Sequence, residues 1–166
     1  LLVVVPAKPL RLFLADDEPL ALRRMRLALQ EMGFQDEAEA CFRRALALKP
    51  DHVEALNNLG NVLFESCRYA DAVADCIQAL ALRPDTAETL TNLGNALRKL
   101  GRIDEAFTSY RRALALNPDL PEAHANFAEL LREQRDIRGA AEHFARAVAL
   151  RRDACLMLDA ANAQMS

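Results

Sequence analysis

Hydrophobic positions along the chain recur at three- and four-residue intervals, the spacing that gathers side chains on one face of an α-helix. Leu56, Leu59, Gly60 and Leu63 form one such set; Tyr69, Ala72, Cys76, Ala79 and Leu80 form another after a break near Cys67. The pattern predicts two amphipathic helices joined by a short turn. Small residues stand where the two helices must approach closely, with Gly60 in the first and Ala72 and Ala79 in the second. A glycine inside a helix costs about 1 kcal/mol relative to alanine. Its recurrence one unit later, at Gly94, implies that close packing offsets that cost.

The pattern is periodic. Residues 53–86 match residues 87–120 at 15 of 34 positions without a gap. Leu56 aligns with Leu90, Asn58-Leu59-Gly60-Asn61 with Asn92-Leu93-Gly94-Asn95, Ala72 with Ala106, and Ala79-Leu80-Ala81-Leu82 with Ala113-Leu114-Ala115-Leu116. Weaker copies extend outward, as Arg43 to Leu48 upstream and as His124, Phe127, Ala140, Phe144 and Ala147 downstream. Four units follow, at 19–52, 53–86, 87–120 and 121–154, with an N-terminal segment 1–18 and a tail 155–166 that is expected to start a capping or further helix packed on the fourth unit. Pro50, Pro84 and Pro118 are expected to stop the second helix of each pair. Asp51, Asp85 and Asp119 stand three residues before Glu54, Glu88 and Glu122, which predicts capping boxes at the next helix starts.

A 34-residue helix-turn-helix unit with Leu-Gly in its first helix, alanines in its second and a closing proline resembles the tetratricopeptide repeat (TPR) family. The resemblance covers residues 19–154. It weakens at the ends, with Met25-Arg26 in place of Leu-Gly in the first unit, and with Phe127-Ala128 and Arg152 in the fourth. It implies an all-α, right-handed α-solenoid whose concave surface is lined by the first helices. The residues brought there would be Asn57, Asn58 and Asn61, then Asn92 and Asn95, then Asn126, with Asn58, Asn92 and Asn126 as a ladder. An amide offers both donors and an acceptor, so such positions suit the main chain of an extended peptide. The same asparagines also suit a purely structural role between helices. Chaperone-binding members of the family grip a carboxylate with cations from these rows. Here the rows read Asn57, Thr91, Ala125 and Asn61, Asn95, Glu129, so that clamp is not expected.

The expected function is therefore a non-catalytic protein-interaction scaffold that binds a protein or peptide. An alternative comes from similarity to the TPR arrays of bacterial O-linked N-acetylglucosamine transferase-like proteins, which share the Leu-Gly-Asn and Ala-Leu-Ala-Leu phrasing; on that view the chain selects substrates for a catalytic domain that it does not contain. A further resemblance covers Leu10 to Gly33, where Asp16-Asp17 after an apolar run is similar to the first strand and helix of a response-regulator receiver. No later phosphoacceptor strand is readable, so functional phosphorylation is not expected; a signalling protein with a receiver-derived N-terminus stands as a third option.

Composition narrows these readings. The chain of 166 residues carries 21 Lys plus Arg against 24 Asp plus Glu, a net charge of −3. Nothing in that balance favours nucleic acid. No apolar run reaches the roughly 20 residues that a membrane span requires, so neither a membrane nor a secretory route is expected, and the cytoplasm is. Cys41, Cys67, Cys76 and Cys155 show none of the close pairing of zinc or redox motifs, and His52, His124 and His143 are scattered. No metal and no cofactor are expected. No phosphate loop, nucleophile elbow or zincin motif is present, so no catalytic residue is assigned. His124 and Cys76 are expected in the core, and Arg43-Arg44 and Arg111-Arg112 on solvated faces. The start at Leu1 and the short tail suggest a section of a longer array, whose exposed ends would allow self-association.

Overall fold

A computed structural model describes residues 35–163. Among these the secondary structure is entirely helical, in seven helices: α1 (Gln35–Leu48), α2 (Val53–Glu65), α3 (Tyr69–Leu82), α4 (Ala87–Lys99), α5 (Ile103–Leu116), α6 (Pro121–Glu133) and α7 (Ile137–Ala163). The all-α helix-turn-helix architecture expected from the sequence is thus present. The N-terminal segment 1–18, expected to be irregular or strand-like, the Asp16-Asp17 pair and the expected first helix of the first unit lie outside the described residues.

The chain divides into two compact units, the first ending at Pro84 and the second starting at Asp85. In the first, α1 packs on α2 and α2 on α3. Its core is formed by Phe42, Leu56, Leu59, Val62 and Leu63 against Ala72, Cys76 and Ala79, all nearly inaccessible. In the second, α4 pairs with α5 and α6 with α7, while α6 also contacts α4 and α5. Ala106, Ala113, Ala140 and Ala147 are buried there as Ala72 and Ala79 are in the first unit. The periodic alanines therefore stand at contacts between helices, where a small side chain brings backbones close.

The helix boundaries follow from backbone chemistry. α1, α3 and α5 end at Leu48, Leu82 and Leu116, two residues before Pro50, Pro84 and Pro118. Proline pushes the preceding residue out of the helical region; Arg83 and Asn117 accordingly have φ/ψ of −138°/90° and −135°/92°. Within each hairpin the turn takes another form. Cys67, Gly101 and Arg135 all adopt positive φ, at 59°, 74° and 64°. The following residue's N–H reaches back five residues, as Arg68 to Leu63, Arg102 to Leu97 and Asp136 to Leu131. This is the Schellman closure, whose left-handed residue is ordinarily glycine.

Two expectations require correction. The capping boxes do not form: the residues at the N-caps of α2, α4 and α6 are His52, Thr86 and Leu120, and none makes a side-chain cap bond. Asp51, Asp85 and Asp119 fall one residue earlier, inside the turn that follows the proline. Asp119 instead holds Arg146 at 2.6 Å, while Glu54 pairs with Arg83 at 2.9 Å. Nor does a new helix begin at Cys155, because α7 runs unbroken from Ile137 to Ala163. The position that carries proline in the other units is Arg152, which keeps its N–H and lets the helix continue.

Candidate functional site

The six candidate asparagines lie on first helices of the hairpins, and each unit places its own set. In the first unit, α2 carries Asn57, Asn58 and Asn61. Asn58 is buried, at 7% exposure, while Asn57 and Asn61 are half-buried. In the second unit, α4 carries Asn92 and Asn95 and the neighbouring α6 carries Asn126, all half-buried. Thr91, assigned to the same surface, is instead buried, and its hydroxyl donates to the Ala87 carbonyl at 2.9 Å.

Asn95 is fixed from beneath. The Tyr110 hydroxyl on α5 donates to Asn95 Oδ1 at 2.6 Å, which leaves the amide's two N–H donors for another acceptor. Tyr110 is fully buried, and that burial holds its phenol well above the usual range, so it stays a neutral donor. The ring fits because α4 has glycine opposite: a Cβ added to Gly94 would lie 2.8 Å from Tyr110 Cε1. At Gly60 the corresponding neighbour is the Cys76 sulfur at 3.2 Å. Burial raises that thiol to about 12, so Cys76 is an inert part of the core, as expected. Cys41, Cys67 and Cys155 are likewise free thiols.

Sequence reasoning did not assign Arg98. One helical turn beyond Asn95, it ion-pairs across to Glu133 on α6 at 2.5 Å, and its side chain is 13% exposed. The only prior signal was its spacing from Asn95 on the α4 face. Arg98 and Glu133 tie together the two helices that present Asn92, Asn95 and Asn126.

Nor did the sequence indicate that His124 and His143 meet. His124 is buried as expected, but its ring is not simply packing. A carbonyl only accepts, so His124 Nε2–H donates to the Pro118 carbonyl at 2.8 Å. Its Nδ1 lies 2.8 Å from His143 Nδ1, one ring donating and the other accepting. His143 also stacks edge-on against Phe127, with centroids 4.8 Å apart, and Phe127 in turn contacts Tyr110 and Phe107. Burial, and then repulsion from the His124 ring in its protonated form, hold His143 below the usual histidine range. Among the described residues no group of three His, Cys, Asp or Glu side chains is close enough to hold a metal, and no helix is long and apolar enough to cross a membrane.

The tetratricopeptide repeat family profile matches residues 51–119 and 85–153, and a second profile of that description matches residues 27–52. Among solved structures the chain is similar to MamA 41-end from Desulfovibrio magneticus RS-1, at 25% identity and a TM-score of 0.70, over 90% of this chain and 88% of that one. It is also similar to a mutant of the Thermobaculum terrenum O-GlcNAc transferase, at 34% identity and a TM-score of 0.63, over 68% of this chain but 22% of that one. No curated protein matches.

Proposed function

The chain belongs to the tetratricopeptide repeat family, whose members are protein-interaction scaffolds, and from that premise we propose that it binds an extended peptide through the asparagine-bearing first helices. The observation that carries this reading is the second unit's arrangement of Asn92, Asn95 and Asn126 on two helices in contact, with Asn95 oriented by Tyr110. An amide held as Asn95 is offers hydrogen bonds to a peptide main chain without dictating its side chains, and loses little freedom on binding. Asn57 and Asn61 extend the reading to the first unit. Asn58 is enclosed and has the more structural part.

The test uses peptides selected from a random displayed library on the wild-type chain. Changing Asn92, Asn95 and Asn126 together to Ala is expected to weaken their binding about tenfold or more, the effect of losing one or two hydrogen bonds left unsatisfied, with helical circular dichroism unchanged. Undiminished affinity in the triple variant would falsify the reading.

A second reading is favoured by the identity to the O-GlcNAc transferase. On that reading the same faces select protein substrates for a glycosyltransferase domain. Peptides eluted from the wild-type chain would then be enriched in Ser and Thr; no enrichment counts against it. The exposed apolar side chains of α7, Ile137 and Val148, support the expectation of self-association, which analytical ultracentrifugation would test through a concentration-dependent mass.

A further inference from the structure

In the first unit a cavity of about 270 Å³ opens between α1, α2 and α3. Leu46, Pro50, Leu56 and Leu59 form its apolar wall, and Arg43, Asp75 and Gln78 supply its polar groups. We propose that this cavity is a docking pocket for one lysine side chain presented by a protein partner. It uses none of the asparagines and does not rest on the peptide-binding reading.

Repeat geometry shows why Asp75 is unusual. Asp75, Ser109 and His143 occupy the same position of successive units. Ser109 satisfies its hydroxyl on the Glu105 carbonyl at 2.8 Å, and His143 satisfies Nδ1 on His124. Where His143 meets His124, the first unit has Leu56, which offers no polar atom. Asp75 Oδ2 is buried with no hydrogen-bond partner. The lining cation Arg43 is engaged elsewhere, its Nε donating to Glu39 Oε1 at 2.8 Å, and Glu39 is shared with Arg68. Among the described residues this half-buried carboxylate has leucines beside it and no cation bonded to it, Arg43 acting on it only through its charge. Burial accordingly holds its pKa above the ordinary aspartate value, the sign of a charged form that lacks stabilisation.

The occupant follows from size and charge. Ligand pockets for whole small molecules occupy about 300–1,000 Å³, so this cavity suits a single side chain. Leucines and a proline match the methylene stem of lysine, which packs along apolar surface while its ammonium seeks a polar end. The terminal torsion of an aspartate is soft, so either oxygen can turn to the ammonium. Arginine is disfavoured: its planar fork needs two open oxygens side by side, and one of Asp75's is enclosed. Asp71 and Glu39 add to the negative potential at Asp75, while the charges of Arg43 and, more weakly, Arg68 act against it.

The proposal is tested with the ¹⁵N-labelled chain, titrated with lysine blocked at both termini and with blocked norleucine as its uncharged counterpart. Saturable amide shifts at Leu46, Leu56, Asp75 and Gln78 are expected with lysine. Binding should weaken about tenfold or more with norleucine, and equally in Asp75→Asn. Equal binding of norleucine would reduce the cavity to an apolar hole, the absence of shifts to a solvent-filled one, and undiminished binding in Asp75→Asn would remove the carboxylate; each overturns the proposal. Should Asp75→Asn fail to fold, the wild-type Asp75 carboxyl, followed by ¹³C, must titrate at lower pH with saturating blocked lysine than without it, and an unmoved midpoint overturns the proposal equally.

Discussion

The hairpins α2–α3 and α4–α5 share the same register and solve it in opposite ways. In α4–α5 the contact is tight, with Gly94 under the buried Tyr110 ring, and the turn is relaxed because Gly101 takes the left-handed position. In α2–α3 the contact is looser, Gly60 facing the Cys76 sulfur at 3.2 Å and the Ala72 carbonyl oxygen at 3.6 Å, and the turn is strained because a cysteine holds φ at 59°. A repeat position therefore constrains shape and not residue. Glycine is needed in the first helix in proportion to what stands opposite it, and needed in the turn everywhere, though here it is supplied only once.

The sharpest way to break this comparison is Gly94→Ala. The new methyl would lie 2.8–2.9 Å from three Tyr110 ring carbons. Overpacking of that kind costs about 1–3 kcal/mol, and the gain of about 1 kcal/mol in helix propensity offsets part of it. A net loss of up to about 2 kcal/mol is expected in urea unfolding. Gly60→Ala should stay within about 0.5 kcal/mol of wild type, because its one close neighbour is a single sulfur at 3.2 Å. Placing Gly94→Ala in a Tyr110→Cys background, which copies the α2–α3 pairing, should abolish its cost; equal cost in both backgrounds would mean that the ring is not the cause.

The turns give a somewhat smaller effect of opposite direction in the two hairpins. A non-glycine residue in the left-handed region carries about 1 kcal/mol of strain. Cys67→Gly should therefore raise stability by up to about 1 kcal/mol, and Gly101→Cys should lower it by a similar amount. Differential scanning calorimetry on the two variants reads both signs at once, and a shift in the same direction for both would sink the argument.

The smallest expected effect is a difference in pH response. Burial and the neighbouring His124 depress His143 in the fold, while an unfolded histidine titrates near about 6.5. The unfolded chain thus takes up a proton first as pH falls. The stability contributed by the neutral His143 ring is complete above about pH 6.5 and declines below it. Between pH 7.5 and 5.5, amide-exchange protection should fall in α6 and α7 and hold in α2 and α3. His124→Leu, which installs the residue found at 56 and 90, should flatten that response, and a pH-independent wild type would contradict the assignment.

Much of this fold was written in spacing. The three- and four-residue periodicity marked α2 to α6, the prolines marked the ends of α1, α3 and α5, and Gly60 and Gly94 marked close helix contacts. What escaped depended on information that spacing does not carry. An aspartate three residues before a glutamate reads the same in a cap and in a turn, and Pro50, Pro84 and Pro118 decide for the turn. The continuity of α7 rests on a missing proline at 152, a signal by absence. His124 and His143 stand 19 residues apart on two helices, and only the packing angle of α6 against α7 brings them together. The unity of Cys67, Gly101 and Arg135 was hidden because just one of them is glycine. For the asparagines, the first helices were legible but the enclosure of Asn58 was not.

The unbroken α7 has a mechanical consequence. At about 1.5 Å per residue, its 27 residues make a rod of about 40 Å, whereas the 13 of its hairpin partner α6 make about 20 Å. Half of the rod thus has no counterpart in α6 to lie along. Bending applied to that outer half acts through a lever of about 20 Å on the inner turns, where His143 and Arg146 are bonded to the rest of the unit. Those two side chains are the anchors that such a lever would strain first.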